Sequence, residues 1–367
     1  MADFHRAMPE PLETFIHAAI VAMGASEAIA TETARHLVRS NLSGHDSHGV
    51  LRLPQYLAQM DAGLLHPAAV PRPIGGIGAT ALLDAGYGFG QYSTAFALDQ
   101  AFALARQHGV AAVAVRHSTH IGRLGEYTER AGKAGMIAIV TIGTAGPQNG
   151  RVVPFGGAEQ FFGTNPWSFG VPATGHEPMV YDAATSVIAE GKARFAQSKG
   201  VPLPEGCIVD AHGNPTTDPN AFYAGGALLP VGGAVAGHKG YGLAMASALV
   251  AGLAIIDDAT PSNADTTLKP VGPRPRGKVA GVFLIAIDPA AFGDAAHYAA
   301  MTAETVEAVK DVPPAAGVRE VLVPGEPEVR SRATREREGI LLPDATWRDL
   351  IAIADRFGIP APEGEAV

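Results

Sequence analysis

The 367-residue chain has one cysteine, Cys207, so no internal disulfide framework is open to it. A single thiol suits a reducing compartment, and a soluble cytoplasmic protein is the expectation. Charge is sparse: 17% of residues are Asp, Glu, Lys or Arg, and the net charge is −9. No basic stripe is present, which argues against a nucleic-acid or anionic-membrane partner. Long apolar runs are missing too. The longest, YGLAMASALVAGLAII at 241–256, is shorter than a bilayer span and interrupted by Ser247 and glycine. It reads as a buried helix. The opening MADFHRAMPEPLE has no basic n-region, and no small-residue cleavage site follows it, so no signal peptide is expected.

With 47% hydrophobic residues, the chain is long enough for a large core and two lobes. Its first sixty residues read as helices. Leu12, Phe15, Ile16, Ala19 and Ile20 share helical spacing over 10–23; Ser26 and Glu27 open a second helix running to about Leu42. A third, beginning near His48, places Val50, Leu53, Leu57 and Met60 on one face. HPAAVPRP at 66–73 reads as a linker. Beyond it strands and helices alternate: strand 80–84, helix 91–108, strand 109–115, helix 123–134 and strand 136–143. A glycine- and proline-rich excursion over 144–165 precedes short strands at WSFGV and PMVYD. A helix is expected at 187–198, turns over 200–237, a strand at 279–287 and a helical final forty residues. That succession predicts an α/β layer architecture.

Several motifs compete for the chemistry. GGIGATALLDAG at 75–86 holds Gly-x-Gly-x-x-Ala, but a proline-rich linker precedes it and a strand follows, so a glycine turn is the better reading. His45 and His48, like His117 and His120, are three apart and could offer imidazoles to zinc. Neither pair has an added thiolate or carboxylate at ligand spacing, so no metal is expected. Ser47 lacks a Gly-x-Ser-x-Gly elbow. Proton transfer fits more of the residues. On a helix starting near His48, His48 and Arg52 would share a face, one titrating near neutral pH and the other clamping a carboxylate. That pair suits oxidation of a 2-hydroxy acid.

The motifs NLSGHDSHGVLRLPQY (41–56), RHSTHIGRLGEY (116–127), FGTNPWSFGVP (162–172), YDAATSVIAEGK (181–192), GNPTTDP (213–219), GHKGYGLA (237–244) and VPGEPE (323–328) occur in order. Together they resemble the non-Rossmann malate/L-lactate dehydrogenase family, most closely its hydroxycarboxylate dehydrogenase branch. The resemblance implies a three-layer α/β/α fold with a mixed sheet. It also implies a helical lobe from 1–70 and 331–367, and an NAD(P)-binding catalytic domain over 71–330. A homodimer with its site near the interface is implied as well.

By the same resemblance His48 is the acid/base and Ser47 its relay partner, while Arg52 and His120 face the substrate. His48 itself, with Gly122, Arg123, Leu124, Val180, Tyr181, Asp182, Ala183, Ala184, His238, Gly325, Glu326, Pro327 and Glu328, would line NAD or NADP. Gly122 and Gly325 permit close backbone approach to a cofactor, and Glu326 is a candidate ribose acceptor. Asp182 and Ser186 also read as caps for the helix at 187–198. The imine-reducing branch of the family carries an acid near the end of the ATS motif, whereas Lys192 stands here after Gly191, which argues against an imine reductase. The expectation is a dehydrogenase of a small 2-hydroxy or 2-keto acid. A cyclic-imine carboxylate reductase is the alternative within the family, and a metal-dependent hydrolase the alternative from another class.

Overall fold

A computed structural model describes residues 4–146, 150–256 and 279–367. After β1 (Phe4–Ala7), α1 (Pro9–Ala22) begins on a proline whose missing N–H costs nothing there. α2 (Glu27–Leu42) is capped by Ser26, which accepts from the Ile29 amide. α3 (Leu53–Asp61) does not begin near His48. Two short 3-10 turns, Asp46–His48 and Val50–Arg52, precede it and are separated by an extended Gly49. A Cβ at Gly49 would lie 2.1 Å from Asn41 Oδ1. Asn41 fills that space because its side chain bonds both Asp46 and the Val50 amide.

β2 (Arg72–Gly75) and β3 (Thr80–Asp84) form an antiparallel hairpin, turning through Gly76 and Gly78 at positive φ. The glycine cluster is thus a turn. The expected linker is shorter than 66–73, since Arg72 and Pro73 enter an edge strand, where an absent N–H is harmless. α4 (Gly90–His108), β4 (Val110–Arg116), α5 (Gly125–Lys133), β5 (Ile137–Ala145), β6 (Trp167–Val171) and β7 (Met179–Ala183) follow. The excursion over 144–165 links β5 to β6, its residues 147–149 lying outside the described ones.

α6 (Glu190–Lys199) begins later than the expected 187. The turn-rich stretch holds α7 (Pro219–Tyr223) and a small sheet of β8 (Ile208–Val209), β9 (Pro215–Thr216) and β10 (Ala227–Leu228). α8 (Gly233–Ala251), β11 (Val279–Ile287) and α9 (Ala295–Lys310) come next; α9 was not anticipated. The final stretch is not wholly helical. α10 (Glu326–Glu338) and α11 (Asp344–Phe357) alternate with β12 (Ile340–Pro343) and β13 (Glu365–Ala366), and both strands pair with β1.

The main sheet runs β2-β3-β4-β11-β5-β6-β7, with β3 and β4 its one parallel pair among the described strands. α4 and α5 cover one face and α8 the other, giving three layers. Val113, Val140, Val282 and Leu284 pack without exposure against Leu98, Ala101 and Tyr127. On the opposite face Gly143 and Gly281 let α8 approach: a Cβ on either would meet an α8 carbonyl oxygen at 2.3 or 2.4 Å. A separate core gathers α1, α2, α3 and α11 around Leu37, Leu53, Tyr56 and Leu350.

The expectation of a buried helix at 241–256 holds for one side only. Leu243, Met245, Leu249, Leu253 and Ile256 are exposed, and no charged residue lies between 240 and 256. Among the described residues, no helix is long and apolar enough to cross a membrane.

Candidate active site

The stretch GHDSHG is pulled apart by its neighbours. His45 Nε2 lies 3.0 Å from Glu328 Oε1, and Asp46 receives Arg335 at 2.6 and 3.1 Å. Ser331 donates to the Leu42 carbonyl at 2.8 Å, so three residues of α10 fasten this loop. What remains is Ser47 Oγ, 3.0 Å from His48 Nδ1. Arg52 donates through Nε to the Ser47 carbonyl at 2.6 Å and through Nη1 to Gln55 at 2.7 Å. Its Nη2 has no hydrogen-bond partner among the described residues, and no described carboxylate lies within ion-pair distance. Arg39, Arg123 and Arg332 are each placed beside carboxylates.

His120 arrives from the loop between β4 and α5. Its ring stacks on that of His48, with centroids 5.5 Å apart and planes 20° apart. The loop is held from behind: Asp84 binds Arg116 and His117, and Thr119 Oγ1 donates to the Gly88 carbonyl at 2.8 Å. His48, Arg52 and His120 therefore converge, although no continuous helix joins the first two. Each HxxH pair is split, because His45 turns to Glu328 and His117 to Asp84. Among the described residues no group of three or more His, Cys, Asp and Glu could hold a metal.

Burial, with the Arg52 cation adding to it, brings the His48 imidazole down to about 3. Burial also holds His120 and the core residue His36 well below the ordinary 6.5. The unfolded chain thus binds these protons first. Their contribution to stability is intact above pH 6.5 and is lost as pH falls toward the folded-state values. The denaturation midpoint in urea should drop steadily from about pH 7 to about pH 5, ahead of most carboxylate titration. A flat midpoint across that window would contradict neutral burial of these rings.

The expected cofactor residues divide. Gly122 has φ +74°, and a Cβ there would lie 2.2 Å from His36 Nε2, which accepts from the Arg123 amide. Packing against His36 therefore requires this glycine without any cofactor. Gly325 (φ +94°) is likewise pressed on Val180, whose amide donates to the Pro324 carbonyl. The Arg123 guanidinium is 1% exposed among Glu126, Glu129 and Asp182 and its amide is held by His36, so only its carbonyl is left to meet a ligand. Leu124 is buried.

Asp182 accepts from the Gly125 amide at 2.6 Å and so caps α5, not the helix after it; Ser186 bonds the Ile188 carbonyl. Burial raises the Asp182 carboxyl. Tyr181 is exposed, and Ala183 and Ala184 are partly so. Glu326 is engaged by Lys310 and Arg330, which leaves it poorly placed as a ribose acceptor. Pro327 lies in the first turn of α10, and exposed His238 packs edge-on to Phe155.

A polar cradle does remain. The backbone amides of His120, Ile121, Gly122 and Leu124 make no hydrogen bond among the described residues. Buried amides need partners, so this irregular segment beside two imidazoles fits the polar groups of a dinucleotide.

The malate/L-lactate dehydrogenase family model matches residues 8–351. Hydroxycarboxylate dehydrogenase B of Escherichia coli is 35% identical over 98% of this chain and 96% of its own. A Delta(1)-pyrroline-2-carboxylate/Delta(1)-piperideine-2-carboxylate reductase of Pseudomonas putida is 33% identical over 92% of this chain and 94% of its own. The crystal structure of malate dehydrogenase from Entamoeba histolytica superposes with a TM-score of 0.88 at 25% identity, covering 98% of this chain and all of that one. The order of the motifs, the three-layer fold and the extent of these matches agree, and the chain belongs to the malate/L-lactate dehydrogenase family.

Proposed function

We propose that the chain is an NAD(P)-dependent oxidoreductase interconverting a small 2-hydroxy acid and its 2-keto acid. One observation carries this reading: Arg52, a partly buried guanidinium with no carboxylate partner among the described residues, stands beside two stacked neutral imidazoles. A buried cation needs an anion, and a planar carboxylate fits its free edge. NAD or NADP, when bound, would accept the hydride. The amides of His120, Ile121, Gly122 and Leu124, the exposed part of 181–184 and the 325–328 turn are the segments proposed to hold it.

Arg52 orients the substrate carboxylate, which places the hydroxyl at His48. His48 takes the hydroxyl proton, and Ser47 Oγ at its Nδ1 steadies the ring. His120 faces the oxygen as it becomes a carbonyl. A carboxylate seated on Arg52 also offsets the cation that adds to the depression of His48, so substrate makes the base stronger.

The homodimer is proposed on the outer side of α8 beyond Lys239, where Leu243, Met245 and Leu249 form an apolar surface that a second copy would cover. Cytoplasmic placement rests on the lone, buried Cys207.

The deciding assay is absorbance of NADH and NADPH over a panel of 2-keto acids and cyclic-imine carboxylates. Folded protein that oxidises neither cofactor with any 2-keto acid would end this reading. Chelation should leave activity unchanged, because both HxxH pairs are split. Activity lost on chelation and restored by stoichiometric zinc would favour metal chemistry instead.

A further inference from the structure

We propose that Gln91 and Tyr56 are positioning residues that hold His120 in its Nε2–H tautomer. His120 then donates to the substrate oxygen, and His48 alone exchanges its proton. The inference rests on the hydroxy-acid reading above and assigns different tasks to two rings of the same chemistry.

The Tyr56 phenol oxygen is 2.5 Å from Gln91 Nε2 and 2.8 Å from His120 Nδ1. Both Tyr56 and Gln91 are completely buried, so water does not compete for these bonds. An amide nitrogen only donates, so the phenol oxygen accepts from Gln91. The phenol has one proton of its own, and His120 Nδ1 is the acceptor in reach. A neutral imidazole that accepts at Nδ1 carries its hydrogen on Nε2. Burial keeps Tyr56 protonated and His120 neutral, so neither end of the relay is charged.

The backbone delivers both partners together. Gly90 opens α4 against the His120 main chain, where a Cβ would lie 2.4 Å from the His120 carbonyl oxygen. The Gly90 amide donates to Thr119 Oγ1 at 3.0 Å. Gln91 is the next residue, so the turn that fixes the loop carrying His120 also aims the amide. Phe89 meets the Tyr56 ring edge-on at 5.8 Å and restrains its rotation.

The partners of the two imidazoles are not equivalent. The Ser47 hydroxyl can turn, donating to His48 Nδ1 or accepting from it, so His48 can gain and lose a proton. The Tyr56 hydroxyl is fixed by Gln91 and cannot reverse without leaving an amide hydrogen unpaired in the core. This asymmetry makes one ring a base and the other a donor.

The test is nitrogen-15 NMR of histidine-labelled protein, with His120 assigned by loss of its signals in His120→Gln. The parent is expected to show Nε2–H and an unprotonated Nδ1 at His120. Gln91→Met keeps the volume and removes the donor. It should admit the Nδ1–H form and lower kcat about threefold to tenfold, with cofactor affinity unchanged. Tyr56→Phe should do the same. A parent spectrum with Nδ1–H at His120 would overturn the proposal even if no variant folds. So would an unchanged tautomer and kcat in both variants. Absence of turnover on every 2-keto acid would end the hydroxy-acid reading, while the tautomer is still read directly.

Discussion

Replacing His48 by alanine is expected to cut turnover by about 10²–10⁴-fold, the usual contribution of a general acid/base. Cofactor affinity should hold, because the imidazole bonds Ser47 and stacks on His120. Folding should hold as well, since the loop is anchored by Glu328, Ser331 and Arg335. The measurement is steady-state kinetics with a separate cofactor titration. A folded variant with near-parental kcat would remove His48 from proton transfer. Loss confined to cofactor binding would make it a wall of the dinucleotide site.

Arg52→Lys should raise the Michaelis constant for a 2-keto acid and lower kcat with it, about tenfold or more in kcat/KM. Lysine keeps the charge but loses the planar fork, and its single nitrogen cannot bond the Ser47 carbonyl, Gln55 and a substrate in the same plane. One charge-assisted hydrogen bond lost is worth about 1.5–3 kcal/mol, hence a factor of ten or more. The decisive comparison uses the acid and its uncharged ester. Equal losses on both, or on neither, would show that Arg52 does not read the carboxylate.

Local signals in the chain foretold local structure. Ser26 sits at the end of an apolar period and caps α2; TALLD forms a strand; Gly24 and Gly63 end helices. The candidate site was legible only as far as its residue types. The helical face assumed for His48 and Arg52 does not exist, because Asn41, distant by several residues, bends the chain at Gly49. Their convergence with His120 followed from the family motifs, not from spacing.

Pairs made across the chain left no trace of this kind. His36 dictates Gly122, Val180 confines Gly325, and Lys310 occupies Glu326, yet each partner reads as an ordinary residue in its own segment. Tyr56 was within view, four residues after Arg52 in RLPQY, but nothing in its own segment ties it to His120. Only the fold shows that its hydroxyl ends at an imidazole.

The fastening of the GHDSHG loop by α10 has a consequence for the order of synthesis. The bonds from Glu328, Ser331 and Arg335 reach back across 283 to 289 positions. When the ribosome has made the whole sheet and its covering helices, this loop still lacks every one of those contacts. Closing so long a separation is slow and comes late in folding. A nascent chain therefore holds the loop carrying His48 by local bonds alone, from Asn41 and Arg52, until the nearly finished polypeptide adds α10.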